Sequence, residues 1–250
     1  MFKTYVVSLK KEKKRRKSVG KTLRELNIDF VFFDAINPVE QINYQNYYNK
    51  ELVVRVFGRE LTNGELGCNI SHHLIYRDIL EKKIDYALIL EDDALLNNDL
   101  KSFILSLLEK NIKWDVILLG YSKVNEKEYK TMNIQNPIGR FIFKYKNYRI
   151  GKVAKNYTVG TVGYLVSNLG AKKMVDSNLI GSCLADDWEY FEKQAKLKIF
   201  HCRPFLVYEN YEFFESAISC EREKISKDSA TNNFIINIAK YMRGYLRYLK

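Results

Sequence analysis

Four short, nearly uninterrupted apolar runs constrain this chain more than any other feature: Tyr5-Val6-Val7-Ser8-Leu9, Phe30-Val31-Phe32-Phe33, Tyr86-Ala87-Leu88-Ile89-Leu90 and Val116-Ile117-Leu118-Leu119-Gly120. They are too short for buried helices and too apolar for strands with one wet face, so they read as strands covered on both sides. Helical segments separate them. Val19, Leu23 and Leu26 recur at helical spacing after the first run, and Thr62 with Glu65 forms a capping-box signature for a helix reaching about Lys83. A further helix is predicted from Asp99 to Glu109. Ser122 to Tyr157 has no clear period and reads as a long loop or hairpin excursion. Beyond it, Thr161–Val166 is another strand, Ser167 caps a short helix over Gly170–Val175, and a second helix begins near Ala185-Asp186-Asp187-Trp188. The expected class is α/β: a Rossmann-like, mostly parallel central sheet flanked by helices over residues 1–220, then a C-terminal helical tail over residues 221–250.

Charge narrows the partners. The 250 residues carry a net charge of +11, which favours anionic ligands such as phosphates or a membrane surface. Lys10 to Lys21 holds one acid, Glu12, among its bases, and Lys123 to Lys155 and the C-terminal end are also basic. No zinc-finger spacing or RNA-binding aromatic signature accompanies this charge, so nucleic acid is not the expected partner. Cys68, Cys183, Cys202 and Cys220 are far apart, without a CxxC pair, and are expected as reduced thiols. With no signal-peptide pattern at Met1-Phe2-Lys3-Thr4 and no apolar run near the roughly 20 residues that span a bilayer, a cytoplasmic place is expected.

The chemistry concentrates where the third run stops, at Glu91-Asp92-Asp93. Open α/β sheets bind ligands outside the carboxyl ends of their strands. Three acids there repel one another unless a cation sits among them, and Mg²⁺ or Mn²⁺ commonly joins carboxylates to substrate phosphates. Strand alternation puts Glu91 and Asp93 on one side and Asp92 opposite; Asp93 is the first choice as metal ligand and Glu91 the second, directly or through water. Ser8-Leu9-Lys10 closes the first strand and Arg15-Arg16 opens the following helix, positions from which a diphosphate can be held. Most of Lys11 to Lys17 is expected to be a solvated helix face.

Seven motifs in order carry a resemblance: Tyr5-Val6-Val7-Ser8-Leu9-Lys10 with Arg15-Arg16; Phe32-Phe33-Asp34-Ala35; Leu61-Thr62-Asn63-Gly64-Glu65-Leu66-Gly67-Cys68 with Ser71-His72; Ala87-Leu88-Ile89-Leu90-Glu91-Asp92-Asp93; Trp114-Asp115-Val116-Ile117-Leu118-Leu119-Gly120; Gly160-Thr161 to Tyr164-Leu165-Val166-Ser167; and Asp186-Asp187-Trp188. Over roughly residues 2 to 218 the chain resembles glycosyltransferase family 25, the bacterial lipooligosaccharide transferases whose eukaryotic relatives galactosylate collagen. The resemblance implies a GT-A fold, a nucleotide-sugar donor (often UDP-galactose), a divalent metal at the acidic motif, and inversion at the anomeric carbon. It also implies donor contacts at Asp34, Ser71, His72, Asp92 and Thr161, beside Ser8, Leu9, Lys10 and Arg15.

Inversion needs a general base for the acceptor hydroxyl. Asp187 is the first choice and Asp186 the alternate, with Trp188 expected as a stacking plane for a sugar ring. Cys68, Ser71, His72, Ile75 and Ile79 share a helix face, while His73 is expected at the surface. His201 and Glu209 remain alternatives for a third metal ligand. From Phe234 onward Ile235, Ile238, Met242, Leu246 and Leu249 repeat at helical spacing among Lys240, Arg243, Arg247 and Lys250. Such a helix suits an anionic leaflet, giving peripheral contact with the inner face of a bacterial inner membrane near a glycan or glycolipid acceptor; packing on the protein itself is the alternative. A nucleotidyltransferase acting on a sugar phosphate would use similar strand-end acids but normally shows a Gly-rich loop, absent between Ser8 and Arg16. A non-catalytic membrane-surface protein would have no use for the paired acids.

Overall fold

In the computed structural model, which describes residues 2–122, 124, 128–129, 134, 137–153 and 160–210, the four apolar runs become strands β1 (Lys3–Ser8), β2 (Val31–Asp34), β3 (Tyr86–Glu91) and β5 (Val116–Leu118). With β6 (Ile138–Tyr145), β7 (Tyr148–Val153), β8 (Gly163–Ser167) and β9 (Ile199–Arg203) they form one sheet in the order β2-β1-β3-β8-β5-β9-β7-β6. The short β4 (Ala94–Leu96) and β10 (Val207–Glu209) pair separately as an antiparallel ribbon.

Six of the eight strands run one way, as expected for a mostly parallel sheet. The exceptions are β7 and β8, and β8 lies at the centre, antiparallel to both β3 and β5. An apolar run records burial and not direction, so β8 could not be oriented from its residues. The Ser122 to Tyr157 excursion resolves toward the hairpin alternative: β6 and β7 pair antiparallel, and β7 joins β9.

Both faces of the sheet are covered. On one, Tyr5, Val7, Ile89, Tyr164 and Val166 pack with Ile75, Tyr76 and Ile79 of α3 (Asn63–Glu81) and with Ala171 and Met174 of α5 (Asn168–Asp176). On the other, Val6, Leu88, Leu90 and Leu165 meet Val19 and Leu23 of α1 (Lys13–Glu25) and Phe103, Ile104 and Leu107 of α4 (Leu100–Leu108). Each such side chain contributes about 1.5–3 kcal/mol by leaving water. That is why the runs lack the polar alternation of a half-exposed strand.

The helix starts follow local chemistry. Thr62 and Glu65 make the reciprocal capping box of α3, and the Ser167 side chain accepts the Gly170 N–H at 3.0 Å. The helix α2 (Lys50–Phe57) was hidden among β-branched residues (Val53, Val54, Val56) that weaken helical propensity. Its start and stop signals are nonetheless local: Asn49 caps its start by accepting the Leu52 N–H, and Gly58 ends it at φ 74°. Cys68, Cys183 and Cys202 are free thiols, as expected. No helix among the described residues is long and apolar enough to cross a membrane. The tail at 221–250 and Cys220 lie outside the described residues.

One close approach ties the sheet to the ribbon. A Cβ on Gly120, just beyond β5, would sit 2.1 Å from the backbone oxygen of Val207 in β10. Backbone cannot rotate aside as a side chain can, so Gly120→Ala is expected to cost at least about 1–3 kcal/mol, measured by urea denaturation. An unchanged unfolding midpoint would contradict the observed approach.

Candidate active site

The carboxyl ends of β1, β2 and β3 lie side by side, with Val7 in register with Glu91 and Ser8 with Asp34. The chain then turns through Leu9, whose carbonyl accepts the Glu12 N–H at 3.0 Å, into α1. This turn delivers two arginines to the strand ends. Arg15 Nη1 donates to Asp92 Oδ1 and Asp93 Oδ2, both at 3.3 Å. Arg16 donates to the Ser8 carbonyl at 2.8 Å, to Ser8 Oγ at 3.1 Å and to Asp34 Oδ1 at 2.5 Å. Ser8 Oγ donates to Asp92 Oδ2 at 2.6 Å. Ser8, Arg15, Asp34, Asp92 and Asp93 are therefore brought together, with Arg16 as their tie. Lys10 is exposed and Leu9 half-buried on the turn itself.

Glu91 and Asp93 form the inner part of the cluster. The Thr161 hydroxyl donates to Glu91 Oε1. The ribbon pairs Glu209 with Ala94, and the Asn210 N–H bonds the Asp93 carbonyl at 2.9 Å, which fixes Glu209 against the cluster. Burial, then the Asp93 carboxylate, raises the Glu91 carboxyl well above its usual range, against the Thr161 hydrogen bond. Burial, then Glu209 and Asp92, pushes Asp93 up to about 7, with Arg15 opposing. Asp92 is raised chiefly by burial, while Ser8 and Arg15 pull it back. Asp93 Oδ1 is buried without a hydrogen-bond partner. The side chains of Asp93 and Glu91 still keep 14% and 26% of their exposure, so solvent reaches the cluster. Crowded carboxylates whose charge burial disfavours, with one orphaned oxygen and an open side, fit a hard divalent cation, which takes oxygen donors.

His72 reaches the same place from below. It is 1% exposed, its Nδ1 lies 2.7 Å from the Tyr164 hydroxyl, and Tyr164 bonds the Tyr76 hydroxyl at 2.7 Å. Its Nε2 is 3.9 Å from Glu91 Oε1, too far for a hydrogen bond. Burial lowers the imidazole to about 3, so it stays neutral beside the acid. Ser71 is not brought to the cluster: it donates to the Gly67 carbonyl at 2.6 Å and accepts the Ile36 N–H at 2.8 Å, fixing α3 to the chain after β2. His73, expected at the surface, is 3% exposed and packs on Tyr76 and Phe191. The helix α3 is covered on more than one side, which its spacing could not reveal.

His201 and Glu209 separate clearly. His201 lies on β9, three places along the sheet from β3, with its Nδ1 2.8 Å from the Tyr121 hydroxyl and the Arg203 cation nearby. Glu209, by contrast, acts electrostatically on both Glu91 and Asp93.

The Asp186-Asp187-Trp188 motif divides its labour. Asp187 Oδ1 accepts the Tyr190 N–H at 3.0 Å as N-cap of α6 (Trp188–Gln194), and burial raises its carboxyl. Asp186 Oδ2 accepts the Gly160 N–H at 3.0 Å, one residue from Thr161, and its charge is felt by Cys68 on the Glu91 side. Trp188 is 1% exposed, so it is no stacking platform for a sugar. Its ring lies 5.0 Å from that of Tyr164, and its Nε1 donates to the Gly160 carbonyl at 3.0 Å. Gly160 is thus gripped at both ends. Its φ of 107° and the Ser122 atoms 2.1–2.6 Å from a built Cβ leave room for glycine alone. Tyr164 and Tyr76 are the participants that sequence reasoning left without a role; both sit in apolar patterns that predict only packing.

The chain is similar to several known proteins. The chain is 29% identical over 197 residues to procollagen galactosyltransferase 1-B of Xenopus laevis, covering 73% of this chain and 29% of that protein. It is 28% identical over 178 residues to the lipooligosaccharide biosynthesis protein lic2B of Haemophilus influenzae, covering 70% of this chain and 62% of that one. The chain therefore spans less than two thirds of either relative. A glycosyltransferase involved in the glycosylation of the major capsid of PBCV-1 aligns with a TM-score of 0.40 and 9% identity, over 90% of this chain and 98% of that one. The profile described as glycosyltransferase family 25 (LPS biosynthesis protein) matches residues 1–188, from β1 through the paired acids before α6. With Glu91, Asp92, Asp93 and the paired acids inside that span, the chain belongs to glycosyltransferase family 25.

Proposed function

We propose that this chain transfers a hexose, most naturally galactose, from a UDP-sugar to a hydroxyl of a lipooligosaccharide or other cell-surface glycan, with inversion at the anomeric carbon. The observation that carries this reading is the acid cluster closing β3, where Asp93 presents a buried, unpartnered oxygen beside Glu91. The galactosyl donor is carried over from the procollagen enzyme and the glycan acceptor from the lipooligosaccharide protein.

Asp93, Glu91 and Glu209 would hold Mn²⁺ or Mg²⁺. When bound, that cation neutralises charge developing on the departing diphosphate. The protein's own groups do the rest. Arg15 balances Asp92 and Asp93 and can hold phosphate oxygens, while Arg16 keeps Ser8 and Asp34 in place. Thr161 orients Glu91. Asp186, held by the Gly160 N–H on the cluster's side, is the group placed to take the acceptor proton, and Asp187 serves the helix.

A panel of nucleotide-sugars, with Mn²⁺, Mg²⁺ or chelator, tests the reading by thermal shift and by product release. A UDP-hexose is expected to stabilise the protein only with metal and to release UDP. Release of pyrophosphate from UTP and a sugar phosphate would support a nucleotidyltransferase instead. No metal-dependent response to any donor would remove the transferase reading.

A further inference from the structure

On the inner side of Glu91 lie two further donors, Cys68 and His72, that the proposed transfer does not use. Cys68 Sγ, a His72 ring nitrogen and a Glu91 carboxylate oxygen all lie within 4.8 Å of one another, and His72 Nε2 is 3.9 Å from Glu91 Oε1. His72 Nε2 is buried with no hydrogen-bond partner, on a side chain 1% exposed. A desolvated ring nitrogen left unpaired is costly, and the Glu91 carboxylate lies 3.9 Å from it. The other ring nitrogen is already engaged: Nδ1 meets the Tyr164 hydroxyl at 2.7 Å, and Tyr164 bonds Tyr76 at 2.7 Å. If Nδ1–H donates to Tyr164, and Tyr164 donates to Tyr76, the Nε2 lone pair is free, 3.9 Å from Glu91 Oε1. An outer hydrogen bond of this kind orients a metal-binding histidine and fixes its tautomer.

We infer that Cys68, His72 and Glu91 form a soft-metal site for a zinc-class cation, distinct in chemistry from the oxygen cluster around Asp93. Thiolate and imidazole donors select zinc over magnesium or manganese. Donor separations in a tetrahedral zinc site are about 3.5 Å, given Zn–S near 2.3 Å and Zn–N near 2.0–2.1 Å. The His72–Glu91 separation of 3.9 Å needs only a small contraction. Cys68 is half-buried, leaving a path for entry and a fourth position for water; its thiol proton leaves to solvent as the metal–sulfur bond forms. Occupancy would draw Glu91 inward, away from Asp93. Zinc would then inhibit the proposed transfer by taking one shared carboxylate, a consequence that rests on the transferase reading, whereas binding itself does not.

Cobalt titration of the full-length chain under reducing conditions tests the site without an activity assay. Wild type is expected to show a near-ultraviolet thiolate-to-cobalt charge-transfer band with tetrahedral visible bands, displaced by one equivalent of Zn²⁺ but not by Mn²⁺. Cys68→Ser should lose the thiolate band and weaken zinc binding by more than the ~10–100-fold that loss of an outer partner costs. Tyr164→Phe, which keeps the ring but drops the bond to His72, should weaken zinc by that ~10–100-fold. Asp93→Asn should keep the band, separating this site from the hard-metal cluster. Should Cys68→Ser fail to fold, His72→Gln takes its place and is expected to shift the tetrahedral bands and weaken zinc likewise. Absence of a thiolate band in folded wild type, or its persistence in folded Cys68→Ser, overturns the inference.

Discussion

Asp93→Asn is expected to abolish metal-dependent transfer while leaving the metal-free protein at least as stable as its parent. The two effects have one cause. Asp93 is buried and crowded by Glu209 and Asp92, so its negative charge is costly unless a cation balances it. Asparagine keeps the shape and removes the charge. A cation, in contrast, needs that charge. Losing several kcal/mol of electrostatic stabilisation of the leaving group corresponds to at least about 10³-fold in turnover. Rates measured across a metal titration, with melting curves in chelator, check both halves. Wild-type transfer by the variant would remove Asp93 from the metal site.

The same crowding sets a pH signature with a definite sign. Asp93 is raised from its ordinary 3.8 to about 7 on folding. Between these values the folded chain holds a proton that the unfolded chain has released. Its contribution to stability is therefore complete below about pH 4 and is lost as pH rises through about 7. In chelator, wild-type melting should fall between pH 5 and 8 by an amount on the order of a few kcal/mol, and Asp93→Asn should flatten that fall. Mn²⁺ should reverse it most at pH 8, where the carboxylates are free to bind.

Much of this was legible in the sequence because the governing physics is local. Burial on two faces requires uninterrupted apolar strands, and Leu88-Ile89-Leu90 ending in three acids marks the carboxyl end of a strand, where open α/β sheets bind ligands. The Thr62–Glu65 box and the Ser167 cap are satisfied within four residues of chain, so their motifs translate directly into geometry. Less legible was whatever depends on distant chain. Strand β8 gives no sign of running antiparallel between β3 and β5. Glu209 joins the cluster only because a three-residue ribbon returns to Ala94, more than a hundred residues away in sequence. Trp188 and His73 were misplaced for a related reason. Their neighbours Tyr164, Gly160 and Phe191 come from other elements, and neither helical spacing nor residue type reports them.

The paired acids before α6 are chemically alike but differently held. Asp187 was the first choice for the base, yet its carboxylate accepts the Tyr190 N–H and starts the helix. Asp186 instead accepts the Gly160 N–H, in the segment whose next residue, Thr161, holds Glu91. Asp186→Asn is therefore expected to lower turnover by about 10²- to 10⁴-fold, the usual loss for a general base, with little change in donor affinity. Asparagine caps helices about as well as aspartate, so Asp187→Asn should retain both stability and most of its turnover. Asp187→Ala should cost about 1 kcal/mol of stability, because the Tyr190 N–H then has no acceptor. Steady-state rates, donor binding by calorimetry and denaturation of all three variants separate the roles. If Asp187→Asn is inactive while folded and Asp186→Asn turns over normally, the base is Asp187, and one carboxylate both caps the helix and takes the proton.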